Sequence, residues 1–369
     1  MMADALRVWC FGCAHVIADL RHGRESLADA IRDSEQWEPT WDIAINIGDL
    51  SSAVFTTPDD EEGRVVVRQL GVLRRHRREQ IYSVCGNHDR SGRDDRPADW
   101  WRRWVDPLGE HPSTSGIDPS ERPYPIEGTW ERYSFRVGNL LFLMMSDIIE
   151  PTQKLGREVL GGNPGGVVSQ ETFAWWREMV EGNPESIIIS AHHYMLRDTT
   201  VASGAWEGMR KDDGGNWRPR YHGYHPQGTP QGASYLYYVG SVPDAGAFEG
   251  YLERHPGRVA LWIGGHTHAH PDDTHGGKSH VETKWGTNFI NASCLTRHHG
   301  VSWFEDPGQA GSARRGAGHC VPHSRLLTFT EGRNEASVQC YLHTGEFLPK
   351  GWHSSAERTL GLGREVRLR

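Results

Sequence analysis

The chain has 369 residues, with 48 Asp and Glu against 40 Lys and Arg and a formal net charge of −8. That balance disfavours broad, nonspecific binding to nucleic acid, and no stretch approaches the uncharged apolar length that a membrane helix requires. Six cysteines are too few for a disulfide framework in a chain this size, and the first segment, "MMADALRVWCFGCAH", lacks a basic leader, so the expectation is a soluble cytoplasmic protein whose thiols can act as ligands.

In chain order, one pattern recurs five times: a short apolar run that stops at polar, glycine-rich residues. The runs are "LRVWCFGCAH" (6–15), "DIAINIGD" (42–49), "QIYSVCGNHD" (80–89), "SIIISAHH" (186–193) and "RVALWIGGHTH" (258–268). Continuous apolar runs of this length read as strands buried on both faces of a sheet. Between them, residues 60–79 place Val66, Leu70 and Leu73 on one helical face, with "RRHRR" (74–78) as the helix's basic last turn. "SQETFAWWREMV" predicts a second helix, N-capped by Ser169, with Phe173, Trp176 and Val180 at helical spacing. Residues 244–254 read as a third. After residue 279, "HVETK", "NFINASC", "GVSWF", "SRLLTFT" and "ASVQCYL" read as strands. Segments 107–130 and 197–234, rich in Gly, Pro and aromatics without a period, are expected to be insertions that shape the cleft of a single domain spanning 1–369. The 15 tryptophans point to an aromatic-rich core or a ligand pocket.

Each of the five runs ends in groups that bind metals or move protons. They are Cys13 with His15, Asp49, Asn87 with His88 and Asp89, His192 or His193, and His266 with His268. In sheets with helical crossovers, ligands bind beyond the carboxyl ends of the strands. Five such ends side by side aim all these side chains into one cleft. Singly, each motif has a bland reading as a turn, a capped loop or a surface pair. Five in order, each after an apolar run, make coincidence a poor explanation.

The order Asp-x-His, Gly-Asp, Gly-Asn-His-Asp, His and Gly-His-x-His, with Cys13 in the place of the first Asp, resembles the calcineurin-like metallophosphoesterases. The resemblance implies an α/β fold, a four-layer α/β/β/α sandwich with a β-rich C-terminus, carrying two divalent metal ions. Position by position, it implies that His15, Asp49 and His268 hold the first metal together with Cys13. Asp49 would bridge to a second metal completed by Asn87, His192 and His266. His192 is preferred to His193 because the family's fourth motif commonly follows its ligand His with a variable residue and Pro, where this chain has Tyr194. His88 would protonate the leaving oxygen or hold the phosphate, with Asp89 orienting its ring. His270, Asp272 and Asp273 are candidates to support the ligands from behind.

Cys13 departs from the family pattern. A thiolate keeps the single negative charge of the carboxylate, but it is softer, so it suits zinc or iron better than magnesium or manganese. The expected cofactors are therefore Fe and/or Zn, with Mn possible at the second site. Two other readings yield to the thiolate ligand: a packing Cys13 beside a weakened first site, against which His15 and His268 are both retained, and a redox pair in "CFGC", against which Cys10 lies inside the strand run.

The function implied is hydrolysis of a small-molecule phosphate ester, a diester or a monoester, by a hydroxide bridging the two metals. Cations and aromatics of the 197–234 segment, Arg197, Arg220, Tyr221 and His222 among them, would contact the substrate. The readings kept open beside it are an iron enzyme with other chemistry on the same fold, a non-catalytic metal-binding protein whose first site has decayed, and a nuclease, which the acidic balance disfavours.

Overall fold

The structure, a computed structural model, describes residues 4–21, 23–53, 58–90, 99–148, 165–204, 209–211, 217–219, 235–243, 246–274, 277–292, 294–296, 321–344 and 349–369. Two seven-stranded mixed sheets face each other. The first orders its strands Gly351–Trp352, Glu335–Leu342, His323–Thr330, Ala5–Phe11, Ile43–Asn46 and Ile81–Ser83, with Arg358–Gly361 also paired to Glu335–Leu342. The second runs Val281–Lys284, Thr287–Asn291, Leu261–Gly264, Ile187–His192, Leu140–Met145, Arg132–Val137 and Glu127–Gly128.

Burial explains the layering. Alternate residues of both sheets, among them Val8, Ile45, Phe142, Ile189, Ile263 and Leu327, interdigitate in one apolar layer between them. The opposite face of the first sheet is covered by helices Val16–Arg21, Ser26–Ser34, Asp60–Leu70 and Asp99–Trp104. Helices Gln170–Gly182 and Ala247–Arg254 cover the second. This is the α/β/β/α sandwich expected from the motifs. The central strands, buried on both faces, carry no polar alternation, whereas Glu335–Leu342, toward the edge of the first sheet, alternates between buried and partly exposed positions. Six of the tryptophans are core: Trp9, Trp41, Trp100, Trp101, Trp176 and Trp262 are fully buried, in the two helix-facing layers, whereas Trp352 is exposed.

The five expected strands form and run parallel within each sheet, Ala5–Phe11 beside Ile43–Asn46 beside Ile81–Ser83 in the first and Ile187–His192 beside Leu261–Gly264 in the second, where a further strand, Leu140–Met145, lies parallel to Ile187–His192. Ser169 caps its helix as expected, its hydroxyl accepting from Thr172 N at 3.0 Å. "GVSWF" lies outside the described residues. The hairpin Arg132–Val137/Leu140–Met145 escaped the sequence reading, although its Gly138–Asn139 turn, with Gly138 at φ 55°, is a recognisable signal. Among the described residues no helix is long and apolar enough to cross a membrane.

The stretch 60–79 does not stay helical. The helix stops at Leu70, capped by Gly71, and "RRHRR" is a loop rather than a basic last turn. Its backbone is organised by a distant carboxylate: Arg74, Arg75 and His76 N–H donate to Glu35 Oε1 at 3.0, 2.8 and 3.0 Å. Burial alone would raise the Glu35 carboxyl, but these backbone bonds and the His76 ring outweigh it and hold it below its ordinary value. Segment 107–130 is fastened to the edge strand Ile81–Ser83. Arg122 donates to Glu79 O and Ile81 O at 3.0 and 3.2 Å, and Tyr82 Oη donates to Tyr124 O at 2.7 Å. Of segment 197–234, residues 205–208, 212–216 and 220–234 lie outside the described residues.

Candidate metal centre

The loops that leave the parallel strands meet at one end of the sandwich. Hydrogen bonds between them fix their mutual height: Cys13 N–H donates to Gly48 O at 2.8 Å, His15 N–H to Asp49 O at 3.1 Å and Gly265 N–H to His193 O at 2.9 Å. The approach is so close that a side chain on Gly48 would run into the backbone of Gly86, and one on Gly86 into Asp49. The two motif glycines are there for contact. Cys13, His15, Asp49, His266 and His268 all adopt positive φ, at 50°, 43°, 57°, 70° and 49°. Non-glycine residues reach this region at a cost of order 1–3 kcal/mol each, and such residues cluster at functional sites.

Two groups of ligand-type atoms result. In one, Cys13, His15, Asp49 and His268 bring single donor atoms within 4.8 Å of one another; in the other, Asp49, His193 and His266 do the same. All are buried, and Asp49 belongs to both. In the first group His15 Nε2 lies 3.2 Å from His268 Nε2 and 3.7 Å from Asp49 Oδ2. In the second, His193 Nε2 lies 3.2 Å from Asp49 Oδ2, 3.1 Å from Asn87 Oδ1 and 3.3 Å from His266 Nδ1. Asn87 Oδ1 is also 3.1 Å from His266 Nδ1.

Backbone carbonyls set the ring orientations. His15 Nδ1 donates to Ser51 O at 2.9 Å, and His193 Nδ1 donates to Ile47 O at 2.6 Å, so each ring turns its Nε2 toward the shared carboxylate. Burial would raise the Asp49 carboxyl, but His193, His88 and His15 around it prevail and hold it well below the carboxylate range. Burial likewise opposes charge on His193, yet Asp49 beside it pushes that ring up to about 9. His266 goes the other way, lowered well below its ordinary value by burial and then by the charge of His193.

The sequence reading took His192 as the ligand; the structure brings His193 to the cluster instead. Ile187, Ile189 and Ala191 face the layer between the sheets, so the pleat sends His192 toward the helices and His193 back inward. His192 Nδ1 accepts from Tyr194 N–H at 3.0 Å, and burial, then the charge of His193, lower the ring to about 3.

His88 lies beside the first group. Its ring meets His15 edge-on at 4.5 Å between centroids, and its N–H donates to Asp49 Oδ1 at 2.8 Å. Asp89 departs from expectation. Its carboxylate accepts from Asp49, Ser51 and Gly86 N–H at 2.8, 3.0 and 2.8 Å, which ties three loop positions together rather than orienting a ring. Cys10 faces the layer between the sheets, and Cys13 packs against Cys294, so the two cysteines of "CFGC" belong to different clusters. His270 N–H donates to Asp273 Oδ2 at 2.9 Å, while Asp272 reaches outward to His353 at 2.7 Å. Arg197 places its guanidinium 5.9 Å from the ring of Tyr235; Arg220, Tyr221 and His222 lie outside the described residues.

Two contributors were not anticipated. Glu62, buried on the helix Asp60–Leu70, accepts from Ser51 Oγ at 3.0 Å and Ser52 N–H at 2.6 Å, steadying the carbonyl that holds His15. Asp147, just past Leu140–Met145, accepts from Val167 N–H at 2.7 Å. Burial raises its carboxyl to about 7 against that bond. In sequence, Glu62 looks like an ordinary first-turn acid, and only the strand preceding Asp147 signals a place near the site.

No protein-family model matches the chain, and no curated protein matches it. Solved structures similar to it include a conserved uncharacterized protein, described as a predicted phosphoesterase, from Streptococcus pneumoniae TIGR4, at TM-score 0.33 and 9% identity over 98% of this chain and 99% of that one. Vacuolar Protein Sorting 29 from Cryptosporidium parvum matches at TM-score 0.33 and 11% identity over 97% and 98% of the two chains. The same protein from Chaetomium thermophilum matches at 0.33 and 7% over 97% of each. Likenesses at this level carry no functional argument, so a reading of function stands on the site itself.

Proposed function

We propose that this protein is a metal-dependent hydrolase of small-molecule phosphate esters, with Cys13, His15, Asp49 and His268 holding one divalent cation and Asp49, Asn87, His193 and His266 a second. The observation that carries the reading is the pair of buried ligand groups sharing one carboxylate. The donor set fits a cation. Asp49 is held ionised, two imidazoles are anchored at Nδ1 by backbone carbonyls, and their Nε2 atoms converge on its Oδ2. A cation entering the second group would displace the proton that His193 otherwise shares with Asp49. The thiol of Cys13 favours zinc or iron in the first group; the amide oxygen of Asn87 makes the second harder and admits manganese.

Bound there, two divalent ions supply positive charge for the phosphoryl oxygens and lower the pKa of the attacking water. The chain's own residues do the rest. Asp49 keeps the two ligand groups at a fixed separation, and its bond to His88 N–H makes the proton donor and the shared ligand one rigid unit. His88 hands a proton from its ring to the departing oxygen.

Elemental analysis of the purified protein, paired with hydrolysis of p-nitrophenyl phosphate and bis-p-nitrophenyl phosphate, tests the reading. It expects near two zinc or iron ions per chain and turnover of at least one ester, abolished by chelation and restored by added metal. About one ion per chain with no turnover would sink the two-metal mechanism and favour a binding protein.

A further inference from the structure

Away from the metal centre, a second polar cluster is buried between the sheets with its hydrogen-bonding capacity unspent. Arg325 lies on the strand His323–Thr330, opposite Cys10 on one side and Cys340 on the other, and it is fully buried. Its Nη1 donates to Ala356 O at 2.8 Å, whereas Nε and Nη2 find no protein acceptor. Among the described residues no carboxylate pairs with it. Neither does the neighbouring thiol supply a charge: burial drives Cys10 far up, and Arg325 only partly offsets this. An unpaired guanidinium in an interior costs several kcal/mol.

Two histidines join it. His323 is two residues away on the same strand, so the pleat puts both side chains on one face. His280 meets His323 edge-on, with 5.9 Å between ring centroids. Both rings are buried, and His280 Nδ1, His280 Nε2 and His323 Nε2 likewise find no partner. Burial, and next the charge of Arg325, lower both rings well below their ordinary values, so both are neutral. His323 Nδ1 donates to Val321 O at 2.9 Å. Its Nε2 is therefore an acceptor that needs a donor.

These requirements describe one kind of ligand. Nε and Nη2 form the side-on edge of the guanidinium, the fork that binds two oxygens of a planar oxyanion. A bare halide satisfies the charge but gives His323 nothing. Water satisfies the hydrogen bonds but leaves the charge. The geometry points to a buried site for a small, singly charged oxyanion bearing one hydroxyl, bicarbonate in class, with two oxygens on the Arg325 fork, its O–H donated to His323 Nε2 and His280 completing the enclosure. It is a structural anion, independent of the metal chemistry proposed above.

The test is thermal unfolding of the full chain in carbonate-free buffer at fixed pH and ionic strength, with chloride replaced stepwise by bicarbonate. The expected result is a saturable rise of about 2 °C in the wild type, absent in Arg325→Gln and reduced in His323→Phe. Should Arg325→Gln fail to fold, crystals of the wild type grown in bicarbonate decide the matter. Planar density on the Arg325 fork upholds the site. Separate water peaks there, or a wild-type melting temperature indifferent to the exchange, as a site equally satisfied by chloride would give, would overturn it.

Discussion

The two halves of the candidate metal centre share Asp49 and differ in almost everything else. Like the second, the first is assembled across both sheets, from Cys13 and His15 after the opening strand and from His268 after Leu261–Gly264. It includes a thiol, and its anchored imidazole hangs on Ser51 O, in a loop that itself depends on Glu62. The second has oxygen and nitrogen donors, and its anchored imidazole, His193, bonds to Ile47 O, directly beyond the strand Ile43–Asn46. One half is soft and loop-held, the other harder and held closer to the sheet. A shared carboxylate couples them, so what separates the halves has to be read from variants that touch one and spare the other.

The largest effect belongs to the residue that belongs to both. Asp49→Ala removes the ligand that, among the described residues, the two groups share, and leaves His193 and His15 facing each other without a negative charge. The expected outcome is fewer than one bound metal per chain and a loss of ester hydrolysis of at least about 10³-fold, given several kcal/mol of charge stabilisation from the metals. Retention of one full equivalent would show that the halves stand independently, and the coupled picture would fail.

Next come His193 and its neighbour. His193→Ala should remove about one equivalent of metal and reduce turnover by about 10²-fold or more, since a ligand and its fixed orientation go together. His192→Ala should keep both equivalents and instead cost about 1–3 kcal/mol of stability, from lost packing and the lost bond from Tyr194 N–H. Metal content and denaturant unfolding, measured on both variants, separate the roles; the reverse pattern would restore the assignment made from sequence alone.

That pair marks where the sequence stopped being legible. Apolar runs ending in ligand-type residues located the strands and brought nearly the whole donor set to the right end of the sandwich. They could not say which of two adjacent histidines turns inward, because "SIIISAHH" is apolar on both faces and its period of two leaves no trace. Residues that act across long sequence separations were equally silent. Glu35 organises a loop 39 to 41 residues away, so "RRHRR" was read as a helix end. Arg325 sits in "SRLLTFT", with His323 just before it, an unremarkable strand until Cys10, Cys340 and His280 close around it. The positive φ of Cys13, His15 and Asp49 left no mark either, since none is a glycine.

The support of the first half can be loosened without touching a ligand. Glu62→Gln weakens the acceptor that Ser51 and Ser52 share, and through them the carbonyl that orients His15. Losses of this kind lower metal affinity by about 10–100-fold. Competition with a chromophoric chelator should show one equivalent of metal leaving more easily and the other unchanged. If both equivalents weaken equally, the two halves are not separately held, and the contrast between loop and sheet anchoring falls.

The smallest change is the one that tests softness alone. Cys13→Asp keeps the charge and puts a carboxylate where the thiolate stood, a donor slightly closer to the metal and harder. Occupancy should stay near two, and turnover should change by less than about tenfold, because the charge delivered to the phosphoryl group is preserved. What should move is preference: the variant should accept manganese in the first group and lose its advantage for zinc and iron, measured as the ratio of activities after reconstitution with each metal. An unchanged ratio would mean that Cys13 only packs against Cys294 and that the two halves differ in their anchoring, not in their choice of metal.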